Sequence, residues 1–123
     1  MCAIDDADYF CEVLSSRTLT ARKAHRCNEC GRTIEPGESY LCEFLTDKEQ
    51  GARVHKTCAH CQIVREWLLR ECGGWLYSGI AEDIGDHAGY GMPVARLVVG
   101  INRQWYRIDG SLMPVPTLPQ GAA

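Results

Sequence analysis

Two cysteine pairs constrain this chain more than anything else in it. One lies in Arg26-Cys27-Asn28-Glu29-Cys30-Gly31 and the other in His55-Lys56-Thr57-Cys58-Ala59-His60-Cys61, with 27 residues between Cys30 and Cys58. Together they supply four thiolates, the full complement of a tetrahedral zinc ion. Cys27, Cys30, Cys58 and Cys61 therefore predict one structural Zn²⁺ with every position closed by sulfur. A catalytic zinc keeps one position open for water and usually takes His or Glu ligands. His55 and His60 are alternative ligands, and either could replace a cysteine. Cys2, Cys11, Cys42 and Cys72 are left over, and their spacings fit no second knuckle. Cys42 alternates with Tyr40 and Phe44, which predicts a buried strand cysteine.

The elements around the pairs follow from local pattern. Residues 5–15 predict a short helix, with Asp5 or Asp6 capping and Tyr9, Phe10, Val13 and Leu14 on one face. Ser15 to Ala24 reads as a polar linker. Cys-x-x-Cys-Gly is a zinc-knuckle pattern, with Gly31 giving the positive-φ exit. Glu35-Pro36-Gly37-Glu38 has the residues of a type II turn. Ser39 to Leu45 and Ala52 to His55 predict a β-hairpin. Residues 58–71 predict a helix with Thr57 as N-cap, Ile63, Val64, Trp67 and Leu68 as its apolar stripe, Arg65, Glu66 and Arg70 opposite, and Gly73-Gly74 at its end. A second helix is expected from Trp75 to Asp86, with Asp83, Asp86 and His87 on its wet side. Val94 to Ile101 and Trp105 to Ile108 predict a second hairpin.

Knuckle, hairpin, then a helix carrying the last two ligands is the order of a treble-clef finger. Residues 22–61, with Cys72-Gly73-Gly74-Trp75 and Leu112-Met113-Pro114-Val115-Pro116 after them, resemble small zinc-finger proteins of tailed phages and prophages. That resemblance implies a zinc-stabilised treble clef in a bacterial cytoplasm and no particular activity. The expected fold is α+β: a treble-clef core over about residues 22–72, a flanking N-terminal helix, and a C-terminal helix plus β-hairpin. One domain spans residues 1–113, and residues 114–123, with three prolines, form an extended or disordered tail.

Charge bounds the function. The formal net charge is −3, too acidic for a general nucleic-acid coat, but it alternates in blocks along the chain. Arg22, Lys23, Arg26 and Arg32 flank the first cysteine pair. They either offset the thiolates or form a phosphate-binding patch. Arg96, Arg103 and Arg107 lie near Trp105 and Tyr106, which could stack on bases. Trp67, Trp75, Tyr77, Trp105 and Tyr106 are aromatic anchors of the kind interfaces use. The N-terminus has no signal-peptide pattern, and no apolar run approaches the ~18 residues of a membrane span, so a cytoplasmic protein with reduced thiols is expected. No His-Asn-His arrangement surrounds the finger and no paired carboxylates stand at a useful spacing. The expected function is a non-enzymatic zinc module docking on a macromolecule, a protein ahead of a nucleic acid.

Overall fold

The computed structural model describes residues 12–48 and 51–119. Nine elements follow in chain order: β1 (Glu12–Thr20), β2 (His25–Arg26), β3 (Thr33–Ile34), β4 (Ser39–Asp47), β5 (Gly51–Cys58), α1 (Ala59–Cys72), α2 (Ile80–Gly85), a 3-10 turn (Ala88–Tyr90) and α3 (Met92–Asn102). β1, β4 and β5 form one antiparallel sheet with β4 in the middle, and β2 and β3 form a second, two-stranded one. The fold is thus mixed, an antiparallel sheet with helices. Among the described residues no helix is long and apolar enough to cross a membrane.

The hairpin β4–β5 runs in continuous register from Tyr40 opposite Cys58 to Asp47 opposite Gly51. The turn before β4 closes as its residues demand: Gly37 sits at φ +94°, and the Glu38 amide donates to the Glu35 carbonyl at 3.0 Å. Helix α1 packs Val64, Trp67 and Leu68 inward and ends on Gly73, whose left-handed backbone (φ +80°) lets its amide reach the Leu69 carbonyl.

Four expectations are corrected. Residues 12–15 of the expected N-terminal helix, and most of the expected linker, belong to β1; residues 5–11 lie outside the described residues. The open edge of β4 decides this, because pairing from Glu12 with Thr46 to Thr20 with Ser39 satisfies backbone groups a helix turn would have to satisfy alone. The register slips between Val13 and Ser15, leaving Leu14 as the extra residue of a bulge. Thr57 is still in β5, so Cys58 takes the N-cap position of α1. Only Ile80–Gly85 of the expected helix 75–86 is helical, since Ser78 at φ +66° and a turn from the Gly79 amide to Leu76 interrupt it.

The largest departure is at the C-terminal end. Val94 to Ile101 is not a strand but most of α3, which begins with Pro93 in its first turn. Val94, Leu97 and Ile101 fall at helical steps and are buried, and that burial overrides the β preference of the valines and isoleucine. Trp105 then turns back in a left-handed conformation (φ +66°) instead of opening a strand, and its amide donates to the Gly100 carbonyl at 2.7 Å. The expected hairpin is absent: the one bridge near it among the described residues pairs Tyr106, from the second expected strand, with Leu112, which lies outside both. Gly100 makes this possible, because a Cβ there would overlap the Trp105 ring.

The core runs from Ile34 through Trp67 and Leu68 to Ile80, Ile84, Leu97, Ile101 and Trp105. Met113 and Leu118 pack against it from the segment after α3. Residues 114–119 have neither helix nor strand, yet Pro119 is buried and its carbonyl accepts from Arg70.

Candidate metal centre

Each cysteine reaches the centre from a different backbone feature. Cys27 follows β2, and Cys30 closes the turn into β3, where the Gly31 amide bonds the Cys27 carbonyl at 3.0 Å and Gly31 takes φ +79°. Cys58 is the last residue of β5, and Cys61 lies in the first turn of α1. Asn28 locks the knuckle to β5: its amide donates to the Lys56 carbonyl and its Oδ1 accepts from the Lys56 amide at 2.7 Å.

The four sulfurs all lie within 4.8 Å of one another. Cys27 Sγ stands 3.8 Å from Cys61 Sγ, and Cys30 Sγ stands 3.9 Å from Cys58 Sγ. A tetrahedron of sulfurs at the usual ~2.3 Å from a zinc ion has edges of about 3.8 Å. The donor set and its spacing therefore fit a metal ion, which these four side chains could hold.

Hydrogen-bond donors surround the sulfurs. The Cys58 amide points at Cys27 Sγ (3.4 Å), the Arg32 amide at Cys30 Sγ (3.5 Å) and the Trp105 indole N–H at Cys61 Sγ (3.4 Å). Sharing protons splits the thiols. Hydrogen bonding with Cys30 brings Cys27 down to about 7, and hydrogen bonding with Cys27 takes Cys58 well below the ordinary thiol range. The same bonds, Cys27's foremost, push Cys30 and Cys61 up. Cysteines bind a metal as thiolates, so an ion that binds all four displaces whatever protons they still carry.

The group of four is made of cysteines alone, and each histidine has another partner. His60 Nε2 donates to the Met113 carbonyl at 2.6 Å while its side chain also lies beside Cys58, and His55 Nε2 bonds Glu29 Oε2 at 2.8 Å. Glu29 also accepts from the Ser78 amide at 2.8 Å, tying the knuckle to the segment beyond α1. Arg32 is 1% exposed, with its guanidinium on Glu38 at 2.9 and 3.0 Å and on the Thr33 carbonyl. Burial alone would lower its pKa, but Glu38 and the charge of Cys58 outweigh that and raise it. Arg32 therefore serves as a fixed cation beside the thiolates, and the burial removes it from any phosphate-binding patch.

Arg22, Lys23 and Arg26 stay exposed. Arg22 and Lys23 line a shallow cavity of about 690 Å³ with Leu19, Thr20, His25 and Tyr40. Lys56 Nζ donates to His25 Nδ1 at 3.0 Å. Burial first, then the charges of Lys56 and Lys23, lower the His25 imidazole.

Several charges placed on the surface by helical pattern are in fact buried. Arg65 is 6% exposed: it pairs with Glu43 at 2.7 Å, donates to Thr57 Oγ1 at 3.2 Å, and stacks 4.1 Å above the Trp75 ring. Tyr77 donates to the same carboxylate at 2.8 Å. Glu43 has the parity of Leu45 and shares its buried side of β4, so this salt bridge roofs the sheet. Asp83 and His87 are likewise buried, with His87 Nδ1 donating to the Asp83 carbonyl at 2.8 Å and Nε2 lying 3.4 Å from Cys72 Sγ. Cys42 is only half-buried. Trp67 and Trp105 are core residues at 2% exposure, and Trp75, Tyr77 and Tyr106 are half-buried. No family model, curated protein or solved structure matches this chain.

Proposed function

We propose that the chain is a non-enzymatic module built on one structural zinc ion held by Cys27, Cys30, Cys58 and Cys61, and that it docks on a protein partner. The observation that carries the metal half is the sulfur cluster: four thiols within 4.8 Å of one another, two of the separations at zinc-like edge lengths, backed by backbone and indole donors. Four sulfurs leave no coordination position for water, which argues for a structural ion. The order of the β2–β3 knuckle, the β4–β5 hairpin and α1 supports a treble-clef reading, as the phage and prophage finger proteins imply. A bacterial cytoplasm suits the four ligand cysteines, which are free thiols, but the expectation of reduced thiols fails at Cys72, which is disulfide-bonded.

A protein target is favoured because apolar side chains stand in solvent along α3 and beyond it, Met92, Val99 and Ile108 among them. One observation favours nucleic acid as a second reading. Arg22 and Lys23 line a concave surface beside Lys56, and neither has an acidic partner among the described contacts.

Two measurements test the proposal. Metal analysis of the purified chain should give one zinc per chain, falling to none in Cys30→Ser. Fluorescence anisotropy against short duplex and single-stranded DNA and RNA, at low and physiological salt, then separates the targets. Micromolar binding that weakens steeply with salt puts nucleic acid first; no binding at low salt assigns the cations to balancing the thiolates.

A further inference from the structure

The last block of the chain, residues 94–123, holds Arg96, Arg103 and Arg107 against Asp109 as its one acidic residue. In the fold this excess charge borders an apolar groove. Between α3 and the segment after Met113 lies a cavity of about 580 Å³, floored by Leu97, Trp105, Met113 and Leu118 and edged by Arg96 and Arg107. A second hollow of about 610 Å³ shares Arg107 and Met113 with it and adds Val99, Arg103 and Ile108. Ile108 is 92% exposed, and Arg96, Arg103 and Arg107 are exposed as well. Asp109 is bound to Ser111 through its amide at 2.9 Å and its hydroxyl at 2.6 Å. Asp109 lines the second hollow too and offsets one of the three arginines, which leaves the groove with an excess of two positive charges.

The wall formed by residues 113–119 is fixed rather than draped. The Met113 amide donates to the Trp105 carbonyl at 2.7 Å, its carbonyl accepts from His60, and Pro119 is held by Arg70 at the far end. Between these anchors Pro114 and Pro116 restrict the backbone. A groove set before its ligand arrives loses little ordering entropy on binding.

We propose that this double hollow is the docking surface for an extended, acidic segment of a protein partner, with apolar side chains filling the two hollows and carboxylates meeting Arg96, Arg103 and Arg107. Two adjacent apolar hollows joined through Arg107 and Met113 suit a linear chain whose alternate side chains point the same way. Charge complementarity selects acidic residues between the apolar ones. Nucleic acid suits the surface poorly. The one tryptophan in the groove is 2% exposed and offers no face for a base, and the exposed Val99 and Ile108 give phosphates nothing to bind. The inference rests on the protein-docking reading and names its site.

The test is a selection of random 12-residue peptides displayed on phage against the zinc-loaded full chain, followed by anisotropy titrations of the winners as synthetic peptides. Expected winners interleave Asp or Glu with Leu, Ile, Val, Phe or Met. Their Kd should rise at least tenfold in Arg96→Glu and in Arg107→Glu, with zinc content unchanged. Both arginines are exposed, so neither variant disturbs the core. Winners without acidic residues, or with a Kd unmoved in both variants, overturn the groove assignment and leave protein docking standing. No enrichment at all overturns the groove, and oligonucleotide binding by the same sample would then overturn the protein reading too.

Discussion

The two sides of α1 are held together by different physics. On one side the knuckle, β5 and the first turn of α1 converge on four sulfurs, and every contact there is directional: sulfur to sulfur, amide to sulfur, carboxylate to guanidinium. On the other side α2, α3 and the Trp105 turn are held by shape, with Ile80, Ile84, Leu97 and Ile101 filling the space and Gly100 yielding to an indole ring. The two sides meet where Trp105, a core residue of the second, donates to Cys61 of the first. A directional site fails when one atom is removed, whereas a packed one fails when an atom is added.

The largest effect should come from Cys58→Ser. It removes a ligand, and with it metal binding worth on the order of 10 kcal/mol of folding free energy, so zinc stoichiometry and the cooperative unfolding transition should vanish together. Full zinc content in this variant would refute the ligand assignment. Gly100→Ala should cost about 3 kcal/mol by urea unfolding while zinc content stays at one per chain, because the new methyl meets the Trp105 ring. If zinc is lost as well, the two sides are less separable than their chemistry suggests.

Glu38→Gln should cost about 2 kcal/mol, since it leaves the buried Arg32 charge without its carboxylate. Burial raises the Glu38 carboxyl, but Arg32 and the Glu35 amide outweigh this and hold it below its ordinary value. A depressed carboxyl contributes fully above its unfolded pKa of about 4.3 and loses that contribution only below it. The gap between variant and parent should therefore stay constant from about pH 6 to pH 8 in unfolding titrations. A gap that changes within this window would point to another group. Smallest, Trp105→Phe keeps most of the packing and deletes one N–H···S bond. A loss of about 1.5 kcal/mol should appear as roughly tenfold weaker zinc retention in a chelator competition. Unchanged retention would mean that the indole only fills space.

The same contrast explains what could be read from the residues in advance. The cysteine pairs, Gly31, the Pro36-Gly37 turn and the Gly73 stop are local rules, each fixed by a few neighbours, and the structure follows them. The C-terminal half depends on tertiary choice. Val94 to Ile101 carries both strand-forming side chains and a helical stripe, and only the presence of α2 to pack against decides between them. Arg65 reads as a surface charge when judged on its own helix, and nothing in the pattern of β4 marks Glu43 as its partner. They are buried because they meet 22 residues apart in sequence, in a pairing neither local pattern contains. β1 was hidden for a related reason, since its partner is the free edge of β4 and not a neighbour in sequence.

Cys58 ends a strand, starts a helix and faces Tyr40 across the hairpin. Any ion gripped by its sulfur therefore works as a register pin. Sliding β5 by one residue along β4 would turn this sulfur to the opposite face of the sheet and break the tetrahedron. The tolerance of this hairpin to length changes should thus be lopsided. Residues added at the far end, beyond Asp47 and Gly51, leave the pin in place. A single residue inserted between Val54 and Cys58 shifts every pair on one side of the insertion and cannot be absorbed without giving up the metal.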